Sequence, residues 1–173
     1  KSLLRPGVVK VDMKAAKAKL DRMEQNVIKI TDKDIENFHK LLDLITIPFI
    51  VAEAEAEKLC AYLCIKGEVD AVLSEDTDTI AYGTPKFLHN LNTSSHFVTE
   101  VKFDNIKTSL DIEHDKFLDF CILCGTDYNG RIRGVGPIKA FDLLSNKNLE
   151  DIESIDFDYK HIRSLFKEFN ECL

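Results

Sequence analysis

Long apolar runs are missing from this sequence. No stretch approaches the roughly 18 to 20 residues that a membrane-spanning helix needs, and Lys1 to Pro6 lack the apolar core of a secretory signal, so nothing read here targets a membrane. Glycine and proline are scarce, at 7 and 4 of 173 residues, and no internal repeat or low-complexity tract occurs, which excludes collagen-like and disordered classes. Cysteine is also sparse: five thiols, an odd number, sit largely in apolar segments, the pattern of a reducing intracellular compartment and not of a disulfide framework. What remains is 45% hydrophobic and 31% charged, enough for one real core, or one core with an appendage.

The net charge of -7 argues against a uniformly basic nucleic-acid surface, but the average conceals a distribution. The first twenty residues carry Lys1, Arg5, Lys10, Lys14, Lys17 and Lys19 against the single acid Asp12, so the chain opens as a basic arm, helical from about Asp12 after the break at Pro6-Gly7. Thr31 with Asp34 forms a near capping box, and Ile35, Phe38, Leu41, Leu42 and Ile45 then share one helical face. Ile47 to Val51 is a short apolar run expected to be a strand covered on both sides. A helix follows over 54–66, stopped by Gly67, and then a strand over Val69 to Leu73. Lys86 to Leu91 and His96 to Phe103 read as a strand pair around Asn92 to Ser95, after which the chain is mainly helical. Strand, helix, strand is the grammar of a parallel sheet, with functional groups at the carboxyl ends of its strands. The expected organisation is an α/β region over 1–103 and a helical region over 104–173.

Carboxylates gather where that grammar puts chemistry. Glu53, Glu55 and Glu57 follow one expected strand, Glu75, Asp76 and Asp78 follow another, and Asp127 follows the apolar helix Lys116 to Cys124 through Gly125-Thr126. Converging acids with few basic partners repel one another, and hard divalent cations are the usual reason a fold tolerates this. Acids in a helix's first turn also simply suit its dipole, and residues two apart in mid-helix point about 200° apart, so Glu55 and Glu57 can share a cation only at a helix start. The Asp76-Thr77-Asp78-Thr79 string is no calcium loop, because Ile80 and Ala81 fall where a ligand and a glycine belong; an aspartate-based phosphatase stays as a minor alternative. Cys60 with Cys64 and Cys121 with Cys124 have spacings that could clamp zinc, but they lie on apolar helix faces and read better as core thiols. The five histidines form no ligand-spaced pair and read as structural or exposed, and Tyr128 reads as a packed aromatic.

Arg133-Gly134-Val135-Gly136-Pro137-Ile138-Lys139-Ala140 is the most informative stretch. Two glycines permit a tight turn with exposed amides, Pro137 suits a first helical position, and Arg131, Arg133 and Lys139 supply positive charge. Amides at a helix start bind anions, so this is a device for holding nucleic-acid phosphates without reading bases.

Taken together, Ala52 to Glu57, Ser74 to Asp78, Phe117 to Tyr128 and Gly134-Val135-Gly136 resemble, in order and spacing, the structure-specific 5′ nucleases, and among them the flap endonucleases through Leu41 to Pro48 and Asp119 to Tyr128. The resemblance spans about 35–145. It implies a parallel-sheet, PIN-like nuclease core, incomplete in these residues, followed by a helix-hairpin-helix DNA-binding region. It implies a site of Glu55, Glu57, Asp76, Asp78 and Asp127 holding two Mg²⁺ or Mn²⁺ ions for phosphodiester hydrolysis. It also implies K⁺ held by the backbone carbonyls of Arg131, Ile132 and Val135, and DNA held by Arg131, Arg133, Gly134, Gly136 and Lys139.

The implied substrate is branched or flapped DNA in replication and repair, in the nucleus if the source is a eukaryote, with a sliding clamp as a further partner through a region outside these residues. The family's amino-terminal half, with two more metal-binding aspartates and basic groups, has no match here, and Asp12 lacks the context to substitute. The chain therefore looks like the carboxyl-terminal part of a split or truncated nuclease, with weak or no cleavage expected from it alone. Lys10 to Arg22 would correspond to the end of a helical gateway that threads a single strand. The rival reading from another class is a non-catalytic DNA-binding module that keeps the hairpin.

Overall fold

The computed structural model describes residue 17, residues 29–152 and residues 155–169. The basic arm lies, apart from Lys17, outside the described residues. Two compact units divide the chain, Lys1–Ile50 and Val51–Leu173.

In the first unit, helix α1 (Asp32–Leu44) starts where the sequence announces it. Thr31 Oγ1 accepts from the Asp34 amide at 3.3 Å, and Asp34 Oδ2 accepts from the Thr31 amide at 2.9 Å, which completes the capping box. Several of its apolar side chains are exposed: Phe38 is 57% and Leu44 82% exposed. The strand expected over Ile47 to Val51 is absent. Pro48 has no N–H to give a ladder, no strand pairs with this segment among the described residues, and Ile50 and Val51 stay exposed.

The second unit contains helix α2 (Ala56–Ile65), strand β1 (Val72–Leu73), the single turn α3 (Asp78–Ala81), strands β2 (Lys86–Asn92) and β3 (Phe97–Lys102), and helices α4 (Phe103–Leu110), α5 (His114–Cys124), α6 (Pro137–Asn146) and α7 (Tyr159–Lys167), with a 3₁₀ turn at Leu149–Asp151. The α/β class holds, while the sheet itself is mixed and not parallel throughout. Strand order is β1-β2-β3, β1 is parallel to β2, with Val72 opposite Phe87, and β2 is antiparallel to β3 with an irregularity between His89 and Asn92. The expected strand over Val69 to Leu73 shrinks to the two residues that find partners on β2. β1 and β3 are the two edge strands of the sheet among the described residues, and Phe97 on β3 is 74% exposed.

The expected boundary near residue 103 falls inside this unit. Lys102 ends β3 and caps α4, and the Phe103 amide donates to the Pro85 carbonyl at 3.0 Å. The core lies between the helices: Ala61 of α2, Leu118, Ile122 and Leu123 of α5, Ala140 and Leu144 of α6, and Ile162 and Phe166 of α7 are buried together. Leu118 and Ile122, four apart, give α5 the apolar stripe that places it at the centre. Asp119, on the same helix and 7% exposed, receives a bidentate pair from Arg163 of α7, Nε to Oδ1 and Nη2 to Oδ2, both at 2.6 Å. His114 is structural, its Nε2 standing 2.9 Å from the Ala81 carbonyl oxygen.

Candidate functional site

Glu55, Glu57, Asp76, Asp78 and Asp127 line one recess of about 30 Å³, together with Tyr82 and Tyr128. Three separate segments deliver them. Glu55 is the N-cap of α2 and has extended backbone, φ -63° and ψ 121°, while Glu57 lies in the first helical turn. That change of backbone at the cap removes the 200° divergence that a regular helix would impose, so both side chains reach the same recess.

Asp76 and Asp78 follow β1. The Asp78 amide donates to Asp76 Oδ1 at 2.9 Å, and the Asp76 amide to Ser74 Oγ at 3.0 Å, two local bonds that fold the segment back on itself at the start of α3. Glu75 is turned elsewhere: its Oε1 accepts from the Asn90 amide of β2 at 3.0 Å.

Asp127 stands on the tight turn after α5. Thr126 Oγ1 donates to Asn129 Oδ1 at 2.7 Å, and Asn129 Nδ2 donates to the Ile122 carbonyl at 2.8 Å, fastening the turn to the helix. Gly125 makes this exit possible. Its φ is +95°, and a Cβ there would lie 2.6 Å from Arg131 Cγ.

Among the described residues no lysine or arginine lines the recess. The Asp78 carboxyl is held above its ordinary pKa of 3.8, first by burial and further by the charges of Asp76 and Asp127, with the Asp127 backbone amide pulling the other way. The donor set is wholly hard oxygen, which suits Mg²⁺, Mn²⁺ or Ca²⁺. The space is about enough for two water-sized occupants. Among the described residues no three His, Cys, Asp or Glu side chains stand in finished ligating geometry, so the acids face a common space without being drawn onto a point. Cys60, Cys64, Cys121 and Cys124 are free thiols; burial pushes Cys121 up to about 12.

Tyr82 is the residue that the sequence reading passed over. It ends α3, four positions after Asp78 and therefore on the same side of that turn, the one signal that would have found it. Its hydroxyl lies 2.9 Å from that of Tyr128, which lines the recess as well as packing. The Tyr82 phenol is pushed up, foremost by burial, then by its bond to Tyr128 and by the charges of Glu55 and Asp78.

The glycine hairpin lies between α5 and α6. The Val135 amide donates to the Ile132 carbonyl at 3.0 Å, closing a turn whose third residue, Gly134, has φ +78° as such turns require. One lone pair of the Ile132 carbonyl is thereby engaged. Gly136 is the N-cap of α6 and Pro137 its first residue. Arg131, Arg133, Gly134, Gly136 and Lys139 are exposed, and Ile132 and Val135 are half-buried.

Residues 46–127 match the family model described as the XPG I-region. Flap endonuclease 1 of Tetrahymena thermophila is 41% identical over 132 residues, covering 76% of this chain and 34% of that protein. The solved flap endonuclease-1 from Methanococcus jannaschii superposes with a TM-score of 0.75 at 31% identity, over 96% of this chain and 52% of that one. The catalytic core of Rad2 in complex with DNA substrate superposes with a TM-score of 0.65 at 25% identity, over 82% and 45% respectively. The chain spans between a third and a half of the length of the curated relatives it matches, 34% to 44% of the first three.

Proposed function

Because the chain belongs to the flap-endonuclease group of structure-specific 5′ nucleases, we propose that it contributes the carboxylate site and the duplex grip of a divalent-metal nuclease that cuts branched or flapped DNA in replication and repair. The observation that carries this reading is the meeting of five carboxylates, from three segments, around one recess without a basic side chain. Glu55, Asp76 and Asp127 are exposed and Glu57 and Asp78 half-buried, and none of the five forms an ion pair among the described residues.

Glu55, Glu57, Asp76, Asp78 and Asp127 are the residues that would hold two Mg²⁺ or Mn²⁺ ions. Such ions, when bound, supply Lewis acidity that activates water and neutralises the scissile phosphate. The protein's part is to hold acceptor oxygens in place, to keep cationic side chains away from them, and to fix the backbone that carries them. The hairpin does the rest. Amides at the start of α6, with Arg131, Arg133 and Lys139, hold phosphates without reading bases, and the Arg131, Ile132 and Val135 carbonyls would take a K⁺ ion beside them. The DNA bound by the Rad2 core supports a DNA partner, and replication and repair would place the protein in the nucleus of a eukaryote.

A module that only binds DNA has no use for five acids gathered around one recess, so that alternative is not favoured. Calorimetric titration with Mn²⁺ tests the reading. Uptake by the chain that is lost in Asp76→Asn plus Asp78→Asn is the expected result, and uptake indifferent to those changes refutes it. A phosphatase would instead release phosphate from a small ester under the same conditions.

A further inference from the structure

Asn129 carries no charge and does not line the recess, yet both donor hydrogens of its side chain and its acceptor oxygen are committed within the protein. Its Nδ2 donates to two carbonyls, Ile122 at 2.8 Å and Gly130 at 3.1 Å, and its Oδ1 accepts from Thr126 Oγ1 at 2.7 Å. The Thr126 hydroxyl in turn accepts from the Tyr128 amide at 3.3 Å, which leaves its own proton for Asn129. The chemistry of the partners fixes these directions: two carbonyl oxygens require the nitrogen of the side chain, and the hydroxyl proton requires its oxygen.

These bonds converge on one short segment. Ile122 is fully buried in α5, and its carbonyl, which also takes the Gly125 amide at 3.2 Å, is the fixed point. The main-chain amide of Asn129 donates to the Thr126 carbonyl at 3.2 Å, so Thr126 and Asn129 close on each other through main chain and side chain alike, with Asp127 and Tyr128 between them. Asp127 serves the recess twice: its side chain lines it, and its backbone amide donates to the Asp78 carboxyl, which comes from another segment. Because the Asp127 side chain is exposed, the backbone of this turn decides where its carboxylate stands.

We propose that Asn129 is a positioning residue for divalent-cation binding: through Ile122, Thr126 and Gly130 it fixes the turn that sets the Asp127 carboxylate at the recess and holds Asp127 against Asp78. It acts on the cation only through these neighbours, and the inference rests on the metal-site reading above. The role is specific to a side-chain amide. Aspartate lacks the donors that Ile122 and Gly130 take, and alanine has neither donor nor acceptor.

Mn²⁺ titration calorimetry on the chain, with thermal melting of each sample, provides the test. Asn129→Ala is expected to weaken Mn²⁺ binding by about tenfold, the loss typical of groups that orient metal ligands. Thr126→Val breaks the same network from its other end and should weaken binding in the same direction, whereas Thr126→Ser keeps the hydroxyl and should bind near the parent value. This second pair reads the network even if Asn129→Ala fails to fold. Asp119→Asn, which loosens α5 from α7 away from the turn, is the control for stability: it should lower the melting temperature and leave Mn²⁺ affinity where it was. Unchanged affinity in Asn129→Ala and Thr126→Val, whatever their melting temperatures, overturns the proposal. So does an equal loss in Asp119→Asn, which would make the effect one of general stability, or a folded Thr126→Ser that binds no better than Thr126→Val. If the unaltered chain takes up no Mn²⁺ through Asp76 and Asp78, the metal-site reading fails and this role falls with it; uptake that depends on those two acids and ignores Asn129 removes the positioning role alone.

Discussion

Replacing Arg163 with methionine should destabilise the chain more than replacing its partner Asp119 with asparagine, although both changes break the same contact. Asp119 has a side chain only 10% exposed and takes both of its bonds from Arg163 at 2.6 Å, whereas Arg163 is 28% exposed, lies 3.6 Å from Glu150 and sits over the Tyr159 ring. Arg163→Met keeps the aliphatic stem on that ring but strands a buried carboxylate, at a cost of about 3 to 5 kcal/mol. Asp119→Asn keeps the shape and one acceptor, and leaves a cation that can turn to Glu150 and to water, at about 1.5 to 3 kcal/mol. In urea, where small domains lose roughly 1 to 3 kcal/mol per molar denaturant, the first change should lower the unfolding midpoint by about 2 M and the second by about half as much. High salt should not close the gap, since Asp119 is shielded from solvent. A midpoint for Arg163→Met equal to or above that for Asp119→Asn would refute the reasoning, because it would mean that Asp119 is not isolated from water in the way its burial implies.

Gly125→Ala forces a side chain into φ +95° and against Arg131; it should cost about 1 to 3 kcal/mol by equilibrium unfolding and weaken Mn²⁺ uptake by displacing Asp127. The Asp115 carboxyl is held below its ordinary 3.8, chiefly by its bond from Lys167 at 2.7 Å. A lowered carboxylate pKa gives stability that is present above 3.8 and lost as pH falls through and below it, so Lys167→Met should cost under about 1 kcal/mol at neutral pH and nothing in acid, as thermal melts across pH would read. Lys139→Ala and Arg133→Ala should each reduce the slope of log affinity for duplex DNA against log salt by about one, measured by fluorescence anisotropy, and weaken all sequences alike.

Local signals in the sequence carried well into the structure. The Thr31 cap, the stop at Gly67, the hairpin over β2 and β3, and the glycine turn with Pro137 at a helix start are each set by residues within a few positions of one another. The acids were legible as three clusters because strand ends and helix starts can be read from pattern. Glu75 belongs to one cluster by position but is withdrawn by an amide on β2, fifteen residues away, a pairing that local pattern does not carry. Ile47 to Val51 misled for a related reason: an apolar run says that burial would be favourable and cannot say whether a partner strand exists. Tyr82 escaped notice because one phenol in a short turn has no pattern, and its meaning comes from a hydroxyl 46 positions along the chain.

The uncovered margin of β3 sets a limit on handling. The amides and carbonyls of Phe97–Lys102 that do not pair with β2 lie at an edge of the sheet beside Phe97 and Val98, at 74% and 42% exposure, an invitation for another copy to dock edge to edge. The Glu100–Lys102 ion pair guards only the far end of that strand. Concentrated preparations should thus cloud from this side first, and a lysine in place of Phe97 is the change that would keep them clear.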